Sequence, residues 1–135
     1  MAQLKLDGFE ELNNVLVSLE NYDVVAPEML NTSIDVVEKN LKKRLENHKK
    51  SADMIESIKS SKAKKSQYGW YAQVRPTGKD SNGVRNMEKL AYIHYGTSHQ
   101  AADPVLTKAI NDSAVEVEER MQAKFNEIVG EMIES

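Results

Sequence analysis

An α+β fold, a small twisted antiparallel sheet packed against two long helices, is what this sequence predicts, and three patterns predict it. Apolar residues recur at intervals of three and four over residues 26–48, and again over 104–132. Between these, Tyr68, Trp70, Ala72 and Val74 alternate with Gly69, Tyr71, Gln73 and Arg75, the period-two signature of a strand with one apolar face. At 135 residues the chain matches the size of one domain, large enough to bury roughly two thirds of its unfolded surface.

In chain order, Leu4 and Leu6 alternate with polar neighbours and predict a short strand or extended lead-in over Gln3–Asp7, closed by Asp7 and Gly8. Phe9, Leu12, Leu16 and Leu19 predict a first amphipathic helix ending near Asn21, with Glu10 and Glu11 in the turn where the helix dipole favours negative charge. Pro27 marks the next start. From there Leu30, Ile34, Val37, Leu41 and Leu45 form one buried stripe to about His48. Ser51 reads as a cap for a short helical turn through Ile58, and the lysine-rich stretch from Ser60 to Ser66 reads as a mobile loop.

The strand around Trp70 ends at Pro76, Thr77 and Gly78. Asn82 and Gly83 have the composition of a type I′ turn. Met87, Leu90, Ala91 and Tyr95 keep helical spacing, which favours a short helix over 87–95, capped by Asn86, above a second strand there; the sheet is then completed by residues around 57–65. Beyond Pro104, the stripe Leu106, Ile110, Ala114, Val117, Met121, Phe125, Ile128 and Met132 predicts a terminal helix of about 28 residues, near 42 Å long. That length suggests a far end packed outside its own subunit, unless Gly130 frays it.

The composition bounds the chemistry. Cysteine is absent, so there are no disulfides, thiolate ligands or thiol nucleophiles. Hydrophobic content of 40% with 29% charge is ordinary for a soluble chain, and no apolar run approaches the ~18 residues of a membrane span. The N-terminus has neither basic leader nor apolar core, so no export is expected. The net charge of −3 is unevenly spread: nine basic residues stand against three acids from Lys42 to Lys65, and seven acids against three bases from Val105 onward. Such runs are commonly solvated helix faces. The sharper reading is that the basic region of one copy meets the acidic helix of the next, because complementary patches fix register.

Everything else is arranged around Met87–Ala109. A packed aromatic segment breaks at Gly96, a polar loop follows, and Pro104 starts the last helix where its missing N–H costs nothing. Tyr95, Gly96, Thr97 and Ser98, then Ala101, Ala102, Pro104, Leu106 and Ala109, resemble the signature of the tail-component proteins of siphovirus-type tailed phages and prophages, the small head–tail joining or tail-completion proteins. Met54, Ile55, Glu56, Ser57, Ile58 and Lys59 are similar to that family's Leu-x-x-Ser-Ile-x element. His94, Val105 and Lys108 stand where an acid, an aromatic and a second proline are common. The resemblance implies a non-enzymatic structural protein of the virion neck or tail, found in the host cytoplasm during assembly. It also implies a ring of copies, often hexameric, with a monomer as the form before assembly, in contact with neck, connector and tail-tube proteins and with no membrane. Lys59, Lys62, Lys64 and Lys65 on one loop, and Tyr95, Gly96, Thr97, His99 and Pro104 on the other, are the expected partner contacts.

No catalytic, cofactor or metal site is expected. His94, His99 and Asp103 have metal-ligand chemistry but no ligand-pair spacing, and ordinary loop polarity is the default. His48 ends a helix, where an imidazole meets orphan carbonyls. No serine elbow or phosphate loop is present, and Glu118 and Glu119 point about 100° apart on a helix. The alternative is a sequence-independent DNA-binding accessory protein using the basic 42–65 segment, with Tyr68, Trp70 and Tyr71 beside the lysines. A pI near 5.7 weighs against it.

Overall fold

A computed structural model describes residues 13–48 apart from 15 and 18, and residues 52–134. The expected strand over 3–7, the start of the first helix and the cap at Ser51 lie outside the described residues. The architecture is α+β, with two long helices packed against a small antiparallel strand set. The elements are α1 (Tyr22–Leu45), α2 (Ala52–Ser57), β1 (Ile58–Ser60), β2 (Lys64–Ser66), β3 (Gly69–Tyr71), β4 (Val74–Pro76), α3 (Asn86–Tyr95) and α4 (Val105–Glu134).

α1 and α4 run antiparallel, and the cross-links along their seam give the register. Arg44 forks onto Asp112 at 2.6 and 2.8 Å, Asn40 Nδ2 donates to Ser113 Oγ at 2.8 Å, and Arg120 reaches Asp35 and the Thr32 carbonyl. Descending numbers on α1 meet ascending numbers on α4. The main core lies at one end of this pair, where Leu41 and Leu45 of α1 meet Met54, Ile58, Leu90, Val105 and Ala109.

Pro27 does not start a helix. α1 begins five residues earlier at Tyr22, after a turn at Asn21, and Pro27 sits inside it. Pro27 is the sixth residue of α1, past the first turn, so its missing amide leaves the Asp23 carbonyl without the usual i+4 donor; Val24 and Val25, both donating to the Asn21 carbonyl, have started the helix before it. The lysine-rich stretch is not a loop either, because residues 64–66 form β2.

β1 to β4 form one long hairpin with a defect in the middle. Ile58 pairs with Pro76 and Ser60 with Val74, then Lys64 with Tyr71 and Ser66 with Gly69, so residues 61–63 face only 72–73. The extra residue makes a bulge. It is pinned by Ser61, which donates from its amide to the Gln73 carbonyl and accepts the Gln73 amide on its hydroxyl, and by Asn31 of α1, whose Oδ1 accepts the Ala63 amide. Pro76 has no amide to donate, which blunts one hairpin edge.

The helix expected over 87–95 is present as α3. Asn86 is its first residue, not its cap: the side chain is buried and Nδ2 donates to the Thr77 carbonyl. The Asn82–Gly83 turn is not type I′, since only Gly83 has positive φ. Asp80 holds that turn, accepting the amides of Asn82 and Val84 and pairing with Lys89 at 2.7 Å.

α4 runs unbroken through Gly130. Near its far end Ile128 and Val129 are buried within the chain. Near its start the buried stripe is Val105, Ala109 and Ser113, and Ile110 is 61% exposed. The contact face is therefore rotated by about one residue from the most apolar line in the sequence.

Candidate functional site

Two surfaces collect the residues singled out from the sequence. The first is the strap from Gly96 to Pro104 that joins α3 to α4. Gly96 ends α3 with φ of 79°, and a Cβ there would lie 2.7 Å from the Ala102 nitrogen, so only glycine fits. Thr97 and Gln100 close a small bridge, and the Thr97 hydroxyl accepts the His99 amide. At the other end Asp103 donates its amide to the Ile93 carbonyl. Its carboxylate accepts from Lys108 Nζ at 2.5 Å and His48 Nε2 at 2.8 Å. Lys108 first, and His48 second, hold that carboxyl below its ordinary range.

The strap is thus a rigid staple joining α1, α3 and α4, with Tyr95, Thr97, His99 and Pro104 exposed on it. His94, His99 and Asp103 do not converge. His94 turns inward, its Nδ1 accepting the Leu106 amide at 3.4 Å, while Asp103 is taken up by Lys108 and His48. Among the described residues no group of three or more potential ligands could hold a metal ion.

The second surface is the hairpin. Its inner face is tied to α1: Asp23 Oδ1 accepts from Lys65 Nζ and from Trp70 Nε1, both at 2.9 Å, and these two donors lower the Asp23 pKa. Trp70 also lines an apolar groove of about 360 Å³ with Tyr22, Met29, Met121 and Phe125. The strand alternation reads correctly here, with Trp70, Ala72 and Val74 turned inward and Tyr71, Gln73 and Arg75 outward. Tyr68 leaves that pattern for the turn, where it is 91% exposed.

On the outer face lie Lys59, Lys62, Lys64, Arg75 and Tyr71, all exposed. Lys59 and Arg75 are direct cross-strand partners. Like charges opposed in this way destabilise a sheet, and no acid among the described residues pairs with them. Of the expected contact lysines, Lys65 therefore belongs to the fold and Lys59, Lys62 and Lys64 are free to meet a partner. Arg75 was missed because its pairing with Lys59 depends on the hairpin register, although strand alternation had already put it on the polar face. The His48–Asp103–Lys108 network was missed because it joins residues 55 apart in sequence.

No family model, curated protein or solved structure matches this chain.

Proposed function

We propose that this chain is a non-enzymatic phage or prophage structural protein that helps to join head and tail, forming a ring with itself and contacting neighbouring neck or tail proteins. The observation that carries the reading is the strap. The residues that resemble the tail-component signature fall on a stapled segment whose geometry requires Gly96 and whose tip is exposed. A surface rigid before binding loses little entropy on docking, which suits an assembly contact. The imidazole and carboxylate groups nearby serve the staple itself.

The test is size measurement by sedimentation at micromolar concentration, alone and with the connector and tail-tube proteins of the same gene cluster. The expected result is a monomer or small oligomer alone that joins a larger ring-bearing complex with them. A strict monomer that binds none of these proteins overturns the reading.

A DNA-binding accessory role is the second reading. It is favoured by one observation, the four cations without an ion-pair partner among the described residues and the two tyrosines exposed on the hairpin.

A further inference from the structure

We infer that the outer face of the hairpin docks on the solvent face of α4 of a second copy, as the head-to-tail contact of the ring; the inference rests on the assembly reading above. The charge blocks seen in the sequence are partly neutralised within the chain. Arg44 is spent on Asp112, Lys65 on Asp23, Arg120 on Asp35 and Lys124 on Glu127. What remains is sharper than the blocks themselves. On the hairpin, Lys59, Lys64 and Arg75 have no counter-ion among the described residues, and Tyr68 and Tyr71 stand beside them. On α4, Glu118 and Glu119 likewise have none, and they share a shallow groove with Val115, Gln122, Ala123 and Asn126.

The two patches match in chemistry and in length. Cations meet carboxylates, and the tyrosine rings meet Val115, which is 69% exposed, and Ala123. Opposite the bulge, the partner strand from Tyr71 to Arg75 spans about 13 Å, and α4 from Val115 to Asn126 spans about 16 Å, so the two patches are of comparable length. Within one molecule they cannot meet. Trp70 on the inner face of the hairpin and Met121 and Phe125 of α4 line one groove over α1, so the outer hairpin face and the exposed line of Glu118 and Glu119 are the sides turned away from it. Both patches face away from α1. Contact between two different patches is heterologous, and such contacts close into rings when the rotation allows. Exposed ion pairs are individually weak, so one contact is transient and closure, with two contacts per copy, stabilises the assembly.

The test is charge-swap complementation. One variant carries Lys59→Glu, Lys64→Glu and Arg75→Glu; the other carries Glu118→Lys and Glu119→Lys. All five positions are exposed, and circular dichroism checks that each variant is folded. Self-association is followed by sedimentation at low salt up to millimolar concentration, with and without the connector and tail-tube proteins. Each variant alone is expected to self-associate at least ~10-fold more weakly than wild type, because like charges then face each other. An equimolar mixture is expected to recover, since each reversed patch finds its complement on the other variant.

Loss in the hairpin variant alone, with no recovery on mixing, overturns the inference and gives the basic face to another partner. Wild-type association that neither variant disturbs overturns it too, and leaves the head–tail reading standing. A wild type that never self-associates overturns the inference, and if it also joins none of the neck proteins the broader reading falls with it.

Discussion

Gly96 and Asp103 fix the two ends of the strap by different physics. At Gly96 the constraint is steric: positive φ and a backbone nitrogen 2.7 Å from any Cβ. Gly96→Ala is expected to destabilise the fold by roughly 1–3 kcal/mol, the usual cost of holding a non-glycine residue in such a conformation. Urea unfolding checks it, and an unchanged midpoint would remove the steric argument. At Asp103 the constraint is electrostatic. Its folded-state pKa is lowered from the ordinary 3.8 by Lys108 and then His48, so its contribution is fully present above the unfolded value and fades as pH falls through the folded one. Asp103→Asn should therefore be less stable than wild type at neutral pH, with the gap closing below about pH 4. Wild type will still lose stability in acid, because Asp23, Asp80 and Asp112 are lowered in the same direction by Lys65, Lys89 and Arg44. A gap that stays constant from pH 7 to strong acid would contradict the assignment to Asp103.

Elements differ in how far the sequence alone discloses them, and the reason is how much each depends on distant residues. α3 and most of α1 could be read from helical spacing, although the expected stripes are only partly buried: in α3 Leu90 is buried while Met87 and Tyr95 are exposed, and in α1 Leu41 and Leu45 are buried together with Ser33 and Val36 rather than Ile34 and Val37. β2 could be placed only as part of the 57–65 stretch that completes the sheet, while its own pattern reads as a loop, since Lys64, Lys65 and Ser66 are all exposed and the strand is held by pairing with β3, the Asn31 tether and the Lys65–Asp23 pair. The start of α4 misleads for a related reason: Ile110 is the more apolar residue, but Ser113 is the buried one. Ser113 donates to the Ala109 carbonyl at 2.6 Å and accepts from Asn40 at 2.8 Å, so the seam between the long helices contains a polar bond that apolar spacing cannot reveal. Ser113→Ala leaves the half-buried Asn40 amide without its acceptor and is expected to cost about 1–2 kcal/mol. Adding Asn40→Leu should recover most of that, because removing both partners leaves no unmet donor. Chemical denaturation of the single and double variants gives the comparison; a double variant weaker than the single would show that the bond, rather than the unmet donor, carries the seam.

For the molecule as a whole, the polar side of the candidate site was legible as a lysine-rich stretch beside aromatics, but its sorting was not. Only the hairpin register separates Lys65, facing Asp23, from Lys59 and Lys64, facing outward with Arg75. That sorting also weakens the nucleic-acid reading. Counting Lys62, four cations remain on the face, so log affinity for duplex DNA can fall with log salt at a slope of at most about −3.6. Non-specific DNA binding typically has dissociation constants of about 10⁻⁴ to 10⁻⁶ M at physiological salt. Four contacts on a chain of net charge −3 should bind more weakly than that. Fluorescence anisotropy with a labelled duplex is therefore expected to detect little binding at physiological salt, and only shallowly salt-dependent binding when salt is low. In the proposed ring the same lysines face the α4 of a second copy, so added DNA should compete with self-association at low salt and leave it untouched at physiological salt. Micromolar retention at physiological salt, lost with Lys59→Glu and Lys64→Glu, would transfer the hairpin to nucleic acid and leave Glu118 and Glu119 without their partner.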